Sequence, residues 1–154
     1  MIIKVPTYKQ KDKLGCGLAG MRMIYAYYGQ KISEDDLKRK IGGFTKWGSL
    51  TTDHAVIAKE MGFKPECYSY NLDFFAPQDA KASRRELIKK LTQTIRNKKL
   101  KTYKKSQIIS ILRALRNNVD FHLEIPSLGL VIKYLSEKIP VCLSINSAIL
   151  FERK

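Results

Sequence analysis

Apolar positions recur at three- and four-residue intervals through much of this chain, the period of helices buried on one side. From Cys16 the chain is apolar almost throughout to Tyr28 and halts at Gly29, a residue suited to a left-handed helix end. Ser33, with Glu34, Asp35 and Asp36, opens a second helix expected to reach about Ile41, before Gly42-Gly43. A loop through Trp47 and Gly48 leads to a third, capped by Thr51, Thr52 or Asp53 and closed by Gly62. The period then shortens to two: Phe63 to Tyr70 reads as a strand and Asn71 to Ala82 as loop. Ser83 and Glu86 make a capping-box pair ahead of Leu87, Ile88, Leu91 and Ile95. Ile108, Ile109, Ile111, Leu112 and Leu115 predict another helix, from Ser106 to Arg116. Val119 to Ile125 alternates, setting Phe121, Leu123 and Ile125 on one face and Asp120, His122 and Glu124 on the other. A helix from Ser127 to Ser136 and a strand from Val141 to Ile145 follow, with Ile149 to Phe151 starting one more strand. Helices first and strands later is an α+β order.

Length makes this one domain, 1–154, long enough to bury roughly two-thirds of its unfolded surface. Its 44% hydrophobic content is that of a globular protein. No apolar run approaches the roughly 20 residues that span a bilayer, and Met1 to Pro6 does not open a signal peptide. Cysteines 16, 67 and 142 are odd in number and have no paired spacing. That fits a reducing, cytoplasmic setting and argues against a disulfide framework or a zinc site. Cys67 and Cys142 fall in strand-like stretches and read as core; no cofactor and no metal is expected.

Charge changes the picture more. The net charge is +15, and residues 81–116 hold thirteen Lys or Arg against one acid, Glu86. Basicity therefore belongs to one segment, and its apolar spacing is helical. The basic loop of Arg96 to Lys105, with Tyr103 in it, would attract an acidic partner or nucleic acid through Lys98 to Lys105. No helix-turn-helix, RNP or zinc-finger pattern accompanies it, and a solvated lysine face is the competing reading.

Cys16 carries the candidate chemistry. A thiol at a helix N-terminus faces unpaired N–H groups and the positive end of the helix dipole, which favour thiolate. Acyl transfer needs such a nucleophile, and a side-chain amide such as that of Gln10 can help the cysteine's own N–H hold an oxyanion. A small residue packing a helix start is the alternative.

At Gln10, five intervening residues, Cys16-Gly17-Leu18-Ala19, and the Met23-x-x-x-Tyr27-Tyr28-Gly29 that follows, the chain resembles the bacteriocin-processing, double-glycine leader peptidases. The likeness continues through Ile32-Ser33, Leu37, Gly48-Ser49-Leu50, Ala55, Ala58 and Met61-Gly62-Phe63. It returns loosely at Pro126-Ser127 and Ile139-Pro140-Val141, and hardly touches residues 70–120. The resemblance thus implies that the basic helical segment, 71–118, is an insertion within the domain, in place of a short connection. The resemblance implies a papain-like cysteine peptidase fold, helices packed on an antiparallel sheet. It also implies a peptide substrate, with Cys16 as nucleophile and Gln10 as oxyanion-hole donor. Gly15 stands where the family usually has an acidic or polar residue. The family's histidine opens the strand after the one that Pro140 to Asn146 resembles, and Phe151-Glu-Arg-Lys154 ends the chain there. An active site incomplete at its C-terminal end is the expectation. The chain is then either part of a longer polypeptide or a non-catalytic relative that keeps the fold to bind a peptide or partner. Of the two histidines, His54 falls in the first turn of its helix, where a solvated or capping role is expected. His122 sits between two carboxylates on a polar strand face, exposed, and precedes the Pro140 strand, whereas the family's base follows it.

Overall fold

The computed structural model describes residues 3–42 and 48–145. Three helices come first: α1 (Cys16–Tyr27), α2 (Glu34–Lys40) and α3 (Thr51–Glu60). Then follow β1 (Glu66–Tyr68), a 3-10 turn (Pro77–Lys81), α4 (Arg84–Thr94), α5 (Thr102–Arg116), β2 (Asp120–His122) and α6 (Leu128–Ser136). Helix and strand are mixed as the periodicities imply.

The helix ends follow local chemistry. Ser33 accepts from the backbone N–H of Asp36 at 3.0 Å, and Ser83 and Glu86 close a reciprocal capping box over α4. Beyond α1, Gly29 takes φ +78°, a left-handed conformation that other residues resist.

Apolar residues gather in three clusters with α3 between them. Leu18, Met21 and Tyr25 of α1 meet Leu37 of α2 and Ile57 and Ala58 of α3. Leu87 and Leu91 of α4 meet Ile108, Ile111, Leu112 and Leu115 of α5, with Phe74, Phe75 and Leu123. Ala55 and Val56 join Cys67, Ala114 and Val119 between these two. A helix held from both sides buries all round, so α3 encloses His54 to Ala58 without interruption. On the α5 side, Ser110 donates to Asp53 Oδ1 at 2.7 Å and shares a hydrogen bond with Thr52 at 2.5 Å.

Several expectations need correction. β1 and β2 pair in parallel, Glu66 opposite Asp120 and Tyr68 opposite His122, and not antiparallel. The chain between them carries two helices, the long crossover a parallel pair requires. The N-cap of α3 is Leu50, with no side-chain cap. α5 starts at Thr102, four residues before the expected start at Ser106, because Lys and Tyr extend a helix without needing burial. The last four residues of the supposed basic loop are thus helical. Val141 to Ile145 forms no strand: no described strand lies alongside it to take its backbone hydrogen bonds. Cys142 is exposed, not core. α6 buries none of its residues, leaving Leu128 75% and Ile132 57% exposed. Trp47 and the proposed strand at Ile149 to Phe151 lie outside the described residues.

Candidate active site

Cys16 is the first residue of α1 and is exposed. Gly15 is the N-cap and offers no side-chain oxygen, so the first-turn N–H groups have no side-chain cap. The chain arrives through a turn in which Gly15 N–H donates to the Asp12 carbonyl at 2.9 Å. Gln10 braces that turn. Its Nε2 donates to the carbonyls of Asp12 at 2.9 Å and Lys13 at 3.3 Å. The amide expected to face an oxyanion therefore holds the backbone leading to the thiol.

The residues flanking Cys16 are glycines for a steric reason. A β-carbon on Gly15 would lie 2.9 Å from Glu34 Oε1. Glu34 is only 2% exposed, accepts from the Lys11 N–H at 3.3 Å, and faces the Arg22 guanidinium at 3.7 Å. It ties the approach to Cys16 onto α2. A β-carbon on Gly17 would lie 2.6 Å from both His54 Nε2 and Ser49 Oγ. Those two atoms are 2.7 Å apart and hydrogen-bonded.

His54 is thus neither solvated nor a cap. It is 6% exposed beneath the start of α1, and its Nδ1 has no hydrogen-bond partner among the described residues. Burial pushes its pKa down to about 4, so the ring is neutral at pH 7. A polar residue on the first turn looked solvent-facing because the burial of α3 on two sides is a tertiary fact. The signal that could have exposed it is the glycine at 17, whose missing side chain makes room for a ring.

Cys142 also comes to α1. Its Sγ lies 3.7 Å from where a β-carbon on Gly20 would stand, one turn beyond Cys16. Atoms packed round the sulfur raise its thiol pKa, and the negative charge of Cys16 raises it further. Cys67 is buried, as expected, and its pKa is pushed up to about 11.

His122 belongs to a separate cluster on the β1–β2 pair, where it is half-buried. Its ring stacks on Tyr68 at 4.4 Å, and its Nε2 faces Asp120 at 3.5 Å and Glu66 at 3.6 Å. Glu66 Oε2 accepts from Tyr134 at 2.6 Å and Tyr68 at 3.0 Å, and the Tyr134 bond leads in holding its carboxyl below the usual range. Ligand atoms of Glu66, Asp120 and His122 lie within 4.8 Å of one another, so these residues could hold a metal ion. A cation there would compete with two phenols for Glu66.

An exposed cysteine opening a half-buried helix, with an amide bracing the turn before it, is compatible with a papain-like cysteine-peptidase-type domain. The Peptidase_C39 like family model matches residues 2–151, and the chain belongs to that family. No curated protein and no solved structure matches it. Among the described residues no helix is long and apolar enough to cross a membrane.

Proposed function

We propose that this is a cytoplasmic cysteine-peptidase-type domain that engages a peptide carbonyl through Cys16. The observation that carries the reading is an exposed thiol on the first residue of α1, between two glycines, with uncapped N–H groups beside it. In this reading the Cys16 sulfur attacks the carbonyl carbon, and the oxyanion meets the Cys16 N–H at the helix N-terminus. Gln10 supplies a second donor once its amide turns from the Asp12 and Lys13 carbonyls.

Turnover also needs a group to take the thiol proton and return it to the leaving amine. Neither histidine of the chain is placed for that. His54 is neutral, enclosed and bonded to Ser49, and His122 is engaged with Glu66 and Asp120. Residues 1–154 are therefore expected to bind peptide and react at Cys16 without efficient cleavage.

Iodoacetamide alkylation across pH tests the reading, with Cys67 and Cys142 as internal comparators and Cys16→Ser as blank. Cys16 should react first and at lower pH than either comparator. A Cys16 as inert as Cys67 would sink it.

The alternative, an acidic partner or nucleic acid at Lys98 to Lys105, draws on one observation. Lys98, Lys99 and Lys101 are exposed and make no ion pair among the described residues, whereas Lys104 pairs with Asp73 at 2.7 Å.

A further inference from the structure

We propose that Cys142 is the resolving thiol of an oxidative modification site formed with Cys16, closed by peroxide into an intramolecular disulfide. The proposal rests on the reading of Cys16 as the reactive thiol of the chain, and its geometry comes from one stripe of α1. At about 100° per residue, Cys16, Gly20 and Tyr27 fall within about 40° of each other round the helix. The C-terminal segment runs back along that stripe. Tyr27 donates its hydroxyl to the Lys138 carbonyl at 2.7 Å, and four residues later Cys142 Sγ stands over Gly20. Tyr27 to Gly20 is a rise of about 10 Å, close to the roughly 13 Å that four extended residues cover. The chain is therefore heading toward Cys16, whose β-carbon is about 5–6 Å further along the stripe. A β-carbon on Gly20 would touch the Cys142 sulfur only at ordinary van der Waals distance, 3.7 Å.

Cys16 and Cys142 are the exposed cysteines, and Cys67 is enclosed. The odd count then divides into a pair and a buried residue. The order of events follows from the charges. Crowding and the neighbouring Cys16 charge keep Cys142 a thiol, so it is the poorer nucleophile toward peroxide. The thiolate of Cys16 attacks one oxygen of hydrogen peroxide. An S–O bond forms, the O–O bond breaks, and hydroxide leaves to take up the displaced proton as water. Cys16 is now a neutral sulfenic acid, and the charge that restrained Cys142 is gone. The Cys142 thiolate attacks the Cys16 sulfur, the S–S bond forms, and the S–O bond breaks to release a second water. Two thiols are oxidised and one peroxide is reduced. A dithiol reverses the bond and returns Cys16 to use.

The test is one equivalent of hydrogen peroxide on the reduced chain, quenched with iodoacetamide and digested without reductant. A peptide joining Cys16 to Cys142 is expected, from monomeric protein, with titratable thiols falling from three to one after denaturation. Dithiothreitol should restore all three. In Cys142→Ser, an exposed and conservative change, Cys16 should remain a sulfenic acid that dimedone labels. Cys16 oxidising alike in both proteins, or linking only between chains, overturns the proposal. Alkylation of the reduced protein separates the two ideas. Fast alkylation of Cys16 without the cross-link removes this inference alone, and a Cys16 inert to both reagents removes the catalytic reading as well.

Discussion

Around Cys16 the helices meet through polar groups taken inside, while α4 and α5 meet through aliphatic side chains with their charges in water. Glu34 and His54 are buried against glycines in the first region. In the second, Leu87, Leu91, Ile108, Ile111, Leu112 and Leu115 close a core, with Lys90–Asp79 and Lys104–Asp73 pairs at its surface. Burying a polar group costs stability unless its bonds are met, whereas an aliphatic seam carries no such penalty. Buried polar atoms of Glu34 and His54 without a hydrogen-bond partner among the described residues thus sit beside the thiol, where a functional site is expected to bear them, and the basic helices look built for stability.

Acid should break the first region before the second, with the largest effect of the three predicted here. His54 has a pKa near 4 when folded and about 6.5 when unfolded. Its folded value is depressed, so the unfolded chain binds the proton more readily and protonation favours unfolding. The stability it contributes is whole above pH 6.5 and is lost as pH falls toward 4. At about 1.4 kcal/mol per unit, the loss amounts to roughly 3 kcal/mol. The carboxyls of Asp36, Asp79 and Glu86 are held low by their own hydrogen bonds and ion pairs, so their share is lost only at lower pH. Urea unfolding between pH 6.5 and 5 therefore isolates the histidine. His54→Gln should flatten that slope, and a slope that persists in the variant would refute the assignment.

Two glycines on α1 sharpen the contrast within a single helix. Gly17→Ala drives a β-carbon to within 2.6 Å of His54 and Ser49, inside a packed interior. A loss of about 1–3 kcal/mol is expected, as for other overpacked cores. Gly20→Ala meets its nearest atom at 3.7 Å, an ordinary contact. The usual gain of about 0.5–1 kcal/mol for removing a helical glycine should then appear. Opposite signs in denaturant melts are the required result; equal signs would mean that His54 moves aside at little cost.

How much of this was legible in the sequence differs between the two regions for the same reason. Ser83 with Glu86, and the spacing of Leu87, Leu91, Ile108 and Leu115, are local patterns, and the helices they predict are present. Cys16 at the start of α1 was legible for the same reason. The partners of that site are not local. Ser49 and His54 reach Gly17 only because α3 packs under α1, and Cys142 reaches Gly20 only because the chain returns after more than a hundred residues. Strand direction is not local either: alternation reports which face is buried and says nothing about the neighbour's direction, and β1 and β2 run parallel where the resemblance implied an antiparallel sheet. The first turn of α5 was missed because its Lys and Tyr residues carry no apolar period.

The smallest effect on folding is expected where the charge is greatest. Lys98, Lys99 and Lys101 join α4 to α5, are exposed, and make no ion pair among the described residues. Replacing all three with serine removes no buried contact, so stability should stay within about 0.5 kcal/mol of the parent. A larger loss would mean that this corner is part of the framework after all. The same variant reads the alternative function through salt. Each phosphate contact to a single strand contributes about 0.7 to the slope of log affinity against log salt, so three lost contacts should lower it by about 2. A single-stranded oligonucleotide that binds the parent with that extra slope would make the lysines a contact surface. Equal binding by both proteins, or none, would leave them as the solvated face of a stable pair of helices and return the search for function to Cys16.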